Sequence, residues 1–129
     1  NEKYLDGALA DSIPVTKMQE MGYDKIIVIL TKPAGYRKRK NPEFIAEKRY
    51  KEYPKLVKAI NTRYLQYNKT LDKIKELEKN KEIFVIRPSR KVKMSRIEKD
   101  PAKIEEMYNL GVTDTEELLS ALKEYLNTK

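Results

Sequence analysis

The stretch Ile26-Ile27-Val28-Ile29-Leu30 decides the fold, because an unbroken aliphatic run without alternation predicts a strand that is buried on both faces. A second run of this kind, Ile83-Phe84-Val85-Ile86, follows later in the chain. Between the two runs, apolar residues recur at three- and four-residue steps from Leu56 to Leu77. This spacing predicts one long amphipathic helix, or two helices separated by a bend. Strand, helix and strand together predict a βαβ unit with parallel strands.

Two shorter helices are predicted ahead of the long one. The first runs from Val15 to Met21 and is closed by Gly22, a residue suited to the left-handed position past a helix end. The second begins at Asn41-Pro42-Glu43, where Asn41 is the predicted cap. It carries the apolar residues Phe44, Ile45 and Tyr50 and is expected to stop before Pro54.

The C-terminal part of the chain is predicted to contain two further helices. One starts at Asp100-Pro101 and is closed by Gly111. The other starts at Thr113-Asp114-Thr115-Glu116, which has the spacing of a capping box. The fold class is therefore α/β with a mostly parallel sheet and a helix-rich C-terminal half.

Two strands alone make an incomplete sheet, since stable sheets generally need more strands to cover their edges and faces. A further strand is expected from 4–10, from 92–94, or from residues upstream of Asn1. If the chain exists by itself, we expect it to self-associate through an open sheet edge.

The composition excludes several kinds of chemistry. The chain has no Cys and no His, so disulfides, thiolate metal sites and histidine general bases are absent. No cofactor or metal is expected. The net charge of +8 favours an anionic partner, although a plain solvated Lys-rich surface explains it equally well. Because no apolar run has membrane-spanning length and no signal peptide opens the chain, we expect a soluble, cytoplasmic protein.

One short motif, Asp6-Gly7-Ala8, carries the clearest indication of chemistry. With the segments that follow it, it resembles the aspartate motif and C-terminal part of the bacterial patatin-like phospholipases and esterases, nearly along the whole chain. The matching segments include Met21-Gly22-Tyr23-Asp24-Lys25, Leu30-Thr31-Lys32-Pro33-Ala34-Gly35-Tyr36, Tyr53-Pro54-Lys55-Leu56-Val57, Arg63-Tyr64 with Tyr67-Asn68, Ile86-Arg87-Pro88-Ser89, Ile97-Glu98-Lys99-Asp100-Pro101 and Tyr108-Asn109-Leu110-Gly111.

The resemblance implies a serine hydrolase of lipid metabolism that uses a Ser-Asp dyad. Asp6 would be the catalytic carboxylate that activates the serine, and Gly7 and Ala8 would complete its active-site turn. The chain, 1–129, would be the C-terminal portion of a single hydrolase domain with a three-layer α/β/α fold. None of its serines lies in a G-x-S-x-G elbow, so the nucleophile and the oxyanion loop are expected upstream of Asn1. This chain alone should then be inactive.

Other roles remain open at this stage. Asp11 is expected to shape the loop by a local hydrogen bond rather than to take part in catalysis. In a lipid hydrolase, two basic loops would contact an anionic membrane surface. Solvated loops without a ligand are the alternative. The residues are Arg37, Lys38, Arg39 and Lys40 with Tyr36 in the first loop, and Arg87, Arg90, Lys91, Lys93 and Arg96 in the second. The substrate would be a lipid or another small ester, and no nucleic acid is expected. The alternatives are a basic α/β nucleic-acid-binding module and a protein-interaction module.

Overall fold

The computed structural model describes residues 4–95 and 97–128, apart from the side chain of Glu43. The predicted α/β class is confirmed at the level of a helix-rich chain with a small parallel sheet. In chain order the elements are a one-turn 3₁₀ helix (Gly7–Leu9), α1 (Val15–Glu20), β1 (Ile27–Ile29), α2 (Glu43–Tyr50), α3 (Pro54–Lys79), β2 (Phe84–Ile86) and α4 (Pro101–Asn127).

The chain divides into two compact units. The first contains the residues up to Tyr23 together with Arg37–Leu77, and so holds the 3₁₀ helix, α1, α2 and most of α3. The second contains Asp24–Tyr36 together with the residues from Glu78 onward, and so holds both strands and α4.

The two strands are parallel, as the βαβ pattern predicts. Val28 is paired with Val85, and backbone bonds flank this pair, from Phe84 N to Ile26 O (2.9 Å) and from Leu30 N to Ile86 O (2.8 Å). Within the described residues the sheet has two strands. The predictions of an extra strand at 4–10 or at 92–94 are therefore wrong.

The prediction that β1 is covered on both faces is also wrong. Side chains alternate between the two faces of a strand. Val28 and Val85 are each 7% exposed, whereas Ile27 is 40% and Ile29 73% exposed. The apolar run therefore forms a strand with one open face, and in the second unit α4 lies against the other strand, β2.

Helix α2 leaves two of its large apolar side chains exposed and buries a small one. Phe44 and Ile45 are 66% and 54% exposed, while the small Ala46 is 4% exposed. Pro42 is the flanking residue, without a side-chain cap, so the predicted cap by Asn41 is wrong too. The fold turns this helix so that its smallest apolar side chain faces inward.

Helix α3 confirms the long amphipathic helix. It is one continuous helix, Pro54–Lys79, and it buries Ile74 and Leu77 near its C-terminal end. The periodic spacing of apolar residues does not show where along the helix they are buried. Leu65, in the same helix, is 53% exposed.

Helix α4 corrects the prediction of two separate C-terminal helices. It runs without a break from Pro101 to Asn127, and Gly111 lies in its interior with no positive φ angle. The predicted capping box at Thr113-Asp114-Thr115-Glu116 does not start a new helix, because it lies inside α4. The buried carboxylate of Asp114 instead accepts the Ser89 N–H at 2.8 Å. That bond ties the loop after β2 to the middle of α4.

The C-terminal end of α4 is held to the starts of both strands. The hydroxyl of Tyr125 accepts the Ile26 N–H at 3.0 Å and lies 3.1 Å from the carbonyl oxygen of Glu82, to which it donates. Its ring centroid lies 5.7 Å from that of Phe84. Across the described residues, no helix combines the length and apolar character that crossing a bilayer requires.

Candidate functional site

Asp6 lies at the start of the 3₁₀ helix, where its side chain is fixed by its own backbone. Its Oδ1 accepts the Ala8 N–H at 2.8 Å, the geometry of an Asx turn. The residue is exposed, and Oδ2 makes no hydrogen bond within the part of the chain that the structure describes. One carboxylate oxygen is thus used for positioning, and the other faces solvent.

The backbone conformation of this turn does not require a glycine at Gly7. Its φ angle is not positive, and a Cβ atom added there would meet no atom within 4 Å. The turn therefore does not use the freedom of glycine to adopt a positive φ angle.

The loop that follows Asp6 is held to α3 by a short chain of hydrogen bonds. The Ser12 hydroxyl donates to the carbonyl of Ala8 at 2.8 Å. The guanidinium of Arg63, on α3, donates to the same hydroxyl oxygen through Nε and Nη2, each at 3.3 Å. Arg63 therefore supports the turn that carries Asp6, a role that its place in the matching segments did not reveal.

A cavity of about 210 Å³ lies between this loop and α3. The residues that line it include a cation, a carboxylate, an amide, a phenol and two hydroxyl residues beside aliphatic ones. Its residues are Ala8, Leu9, Ala10, Asp11, Ser12, Ile13, Arg63, Gln66, Tyr67 and Thr70. A polar crevice thus opens beside the turn that carries Asp6.

Asp11 has the local role predicted for it, since its Oδ1 accepts the Ile13 N–H at 3.1 Å. Ser12, the serine of the first unit, directs its hydroxyl to Ala8 rather than to Asp6. Within that unit the described residues do not pair the Asp6 carboxylate with a serine.

The first basic loop is bound to α3 of its own unit. Arg37 forms an ion pair with Asp72 and donates to the carbonyl of Asn68 at 3.0 Å. The Lys38 backbone exchanges two hydrogen bonds with the Asn68 side chain, at 2.8 and 3.0 Å. Arg39 and Lys40, at the end of the loop, are exposed. Arg37 and Lys38 thus have structural contacts that the charge pattern alone did not indicate.

The second basic loop belongs to the other unit and also contains ion pairs. Arg87 pairs with Glu78, and Arg90 pairs with Glu106 of α4 at 2.7 Å. These carboxylates offset part of the positive charge on which the membrane-contact prediction depends. Arg96, the last residue of this predicted patch, lies outside the described residues.

Glu98 organises the loop before α4. Its carboxylate accepts the backbone N–H groups of Ser95 (3.0 Å), Asp100 (3.2 Å) and Lys99 (3.1 Å). These bonds, with Ser95 the largest contributor, and the nearby Lys103 ammonium hold the pKa of Glu98 at about 2, below its ordinary value of 4.5. No spacing in the sequence indicates this role.

Among the described residues, no group of three acidic side chains is placed to hold a metal ion.

The fold and these contacts define a helix-rich α/β chain with a polar crevice between an N-terminal loop and its long helix. Residues 53–127 match the family described as "Domain of unknown function (DUF6363)", which is more than half of the chain, and the chain belongs to that family. The matched region covers α3, β2 and α4, so Asp6 and β1 lie outside it. No curated protein and no solved structure matches the chain.

Proposed function

We propose that this chain supplies the catalytic aspartate of a serine acyl-ester hydrolase, with Asp6 acting as general base in a Ser-Asp dyad. The nucleophilic serine and the oxyanion-binding groups come from residues outside these 129. The substrate is a phospholipid, a lysophospholipid or another carboxylic ester. The proposal starts from the resemblance of Asp6-Gly7-Ala8 and its following segments to the patatin-like family.

The observation that carries the proposal is the state of the Asp6 carboxylate. Its Oδ1 is held by the Ala8 N–H at 2.8 Å, while Oδ2 has no partner among the described residues and the side chain is exposed. A general base needs a fixed orientation together with one oxygen within reach of the proton that it removes. The Asp6 turn has the fixed orientation and leaves Oδ2 open for such a proton, and the chain of bonds through Ser12 to Arg63 holds the loop against α3.

The proposed chemistry uses the open Oδ2 of Asp6. Oδ2 of Asp6 takes the hydroxyl proton as the serine Oγ attacks the ester carbon, because a neutral hydroxyl is a weak nucleophile. The protonated Asp6 then gives that proton to the leaving alcohol, and an acyl-serine remains. In the second half, Asp6 takes a proton from the water that attacks the acyl-serine. It gives that proton to the serine Oγ as the C–Oγ bond breaks, which releases the carboxylic acid and restores the free serine.

The finer architecture belongs to the same proposal. In a three-layer α/β/α hydrolase, further strands would extend the parallel sheet beyond β1. The exposed Ile27 and Ile29 support this arrangement, because an apolar strand face gains stability when another layer covers it. Exposed basic side chains such as Arg39 would contribute about 1 kcal/mol each at an anionic lipid surface.

The test uses the protein encoded by the complete reading frame and a short-chain nitrophenyl ester. We expect Asp6→Asn to lower kcat/KM by about 10²- to 10⁴-fold, the usual contribution of a general base, with an unchanged melting temperature. The matched control is Asp11→Asn, which changes a carboxylate in the same loop whose bond to Ile13 is local. Equal activity of Asp6→Asn and the wild type would rule out the proposal, and so would an equal loss in both variants.

A further inference from the structure

We propose that the second unit binds a small aromatic monocarboxylate in a cavity lined by the β2 segment and the C-terminal half of α4, with the carboxylate on Lys25 and Lys81. Every residue that lines this cavity belongs to that unit. The volume is about 530 Å³, within the range of about 300–1,000 Å³ typical of small-molecule sites. The inference goes beyond the proposed hydrolase activity, since Asp6 lies in the other unit.

Aliphatic side chains form much of the cavity lining. Ile83 and Val85, which come from the β2 segment, are 2% and 7% exposed. Leu118 and Ala121 lie three residues apart on α4, and so on one face of that helix. Apolar walls of this kind bind the apolar body of a ligand, because its surface is removed from water there.

Two aromatic rings complete the lining, those of Phe84 and Tyr125, whose centroids lie 5.7 Å apart. The Tyr125 ring is already fixed, because its hydroxyl accepts the Ile26 N–H at 3.0 Å and donates to the Glu82 carbonyl at 3.1 Å. A ring of a ligand gains more than burial from contact with such rings, since aromatic pairs prefer edge-to-face and offset geometries. The lining therefore favours an aromatic body over an aliphatic chain.

Lys25 supplies a cation at the wall of the cavity. Its half-buried ammonium lies 4.7 Å from the centroid of the Tyr125 ring. None of the ion pairs among the described residues includes Lys25. An ammonium has three N–H donors, and a ring face uses none of them as a hydrogen bond to oxygen. Lys25 therefore retains its capacity to bind a carboxylate.

Lys81 has a backbone conformation that favours glycine. Its φ angle is 61°, and among the described residues it is the non-glycine residue with a positive φ angle. It follows the end of α3, where its N–H donates to the Glu78 carbonyl at 3.0 Å. A glycine would end the helix there without the steric cost of a Cβ atom. Strained residues cluster at ligand-binding sites, and Lys81 lines the cavity.

The charges of the lining favour a monoanion. The charged residues that line the cavity are Lys25, Lys81, Glu78 and Glu124. Glu78 is neutralised by its ion pair with Arg87, whereas Glu124 forms no ion pair within the part of the chain that the structure describes. Two cations and one carboxylate then remain, with a net charge of one positive. A monocarboxylate complements that charge better than a dianionic phosphate ester does.

The test is calorimetric and NMR titration of the 129-residue chain with biphenyl-4-carboxylate. We expect it to bind about tenfold or more tightly than biphenyl-4-methanol, which lacks the charge, and to shift amide signals of 83–85 and 118–125. Dodecanoate, which lacks the rings, and biphenyl-4-yl phosphate, which carries a second charge, should both bind more weakly. No binding of biphenyl-4-carboxylate, or equal or tighter binding of any of the three comparison ligands, would overturn the proposal.

Variants separate recognition from stability. Lys25→Met removes the charge and keeps an unbranched side chain, so it should weaken binding about tenfold. Lys81→Gly should also weaken binding, but it should raise the melting temperature, because glycine adopts the positive φ angle without strain. Loss of binding in Lys81→Gly therefore cannot come from unfolding.

Lys79→Met is the matched control, since Lys79 is an exposed lysine of the same unit that does not line the cavity. It should leave the affinity unchanged. Unchanged affinity in either Lys25→Met or Lys81→Gly, or an equal loss in Lys79→Met, would contradict the site. A lower melting temperature in Lys81→Gly would contradict the argument from its backbone conformation.

Discussion

Asp114 is a buried carboxylate, 7% exposed, that accepts the Ser89 N–H at 2.8 Å. Replacing it with alanine leaves that donor without its charged acceptor, so Asp114→Ala should lower the free energy of unfolding by about 1–3 kcal/mol. Asp114→Asn keeps an acceptor oxygen and should cost less. Urea unfolding gives the free energy of unfolding of both variants. If the two units unfold in separate transitions, the value is taken from the transition of the unit that contains α4.

Glu117 provides the control for this measurement, since it is an exposed acid on the same helix. Glu117→Ala should change the unfolding free energy by no more than about 0.5 kcal/mol. A cost for Asp114→Ala as small as that for Glu117→Ala would show that the bond to Ser89 does not hold the loop.

Glu98 gives the molecule a pH dependence in the acid range. Its pKa is about 2 when folded and near 4.5 ordinarily, so the folded state favours the ionised carboxylate. The stabilisation is fully present above the unfolded pKa and is lost as the pH falls from about 4.5 towards 2. We expect the difference in unfolding free energy between wild type and Glu98→Gln to shrink over that window. A difference that stays constant would contradict the assignment.

At the scale of elements, glycine substitutions test the continuity of α4. Gly111 lies inside the helix without positive φ and with open space at its Cβ position, so Gly111→Ala should stabilise the protein by about 0.5–1 kcal/mol. Gly22 has φ +78°, and Gly22→Ala should destabilise by about 1 kcal/mol. Thermal unfolding measures both. Destabilisation by Gly111→Ala would indicate that the helix ends there, as the sequence pattern predicts.

The elements that the sequence predicts well are those whose signal is periodic and long. The spacing from Leu56 to Leu77 predicts α3, and the two aliphatic runs predict a parallel pair. A local sequence pattern does not specify which distant residue each side chain will contact. Gly111 is typical of a helix end and the capping-box spacing from Thr113 is typical of a helix start, but α4 runs through both, and Asp114 is used to accept the Ser89 N–H.

At the scale of the whole molecule, β1 presents apolar side chains without a covering layer. Ile29 is 73% exposed, and β1 has β2 as its partner within the described residues. We expect the isolated chain to self-associate with rising concentration, and Ile29→Lys to suppress this, because a charge on an edge strand disfavours pairing. Light scattering after size-exclusion chromatography measures the mass.

Ile45 serves as the matched control for self-association, since it is 54% exposed but lies on α2. Ile45→Lys should leave the association unchanged. A monomer at every concentration in the wild type would contradict the open-edge account, and equal suppression by both variants would indicate general hydrophobic association.

The candidate site could be predicted from the sequence only in part. The Asp6-Gly7-Ala8 motif indicates the carboxylate, and the structure adds that its Oδ1 is bound to Ala8. Arg63 follows Ser12 at a distance of 51 residues along the chain, and no local spacing predicts their contact. The cavity arises from that long-range pairing, so it becomes visible only once the chain is folded.

The most direct test of the account measures the reactivity of the serine that Asp6 is proposed to activate. In the protein encoded by the complete reading frame, a fluorophosphonate should label a single serine outside these 129 residues, and Asp6→Asn should slow labelling by about 10²-fold or more. Mass spectrometry of the labelled peptide and the rate of incorporation give both results. Labelling at the same rate in Asp6→Asn, or no labelled serine in the wild type, would contradict the account.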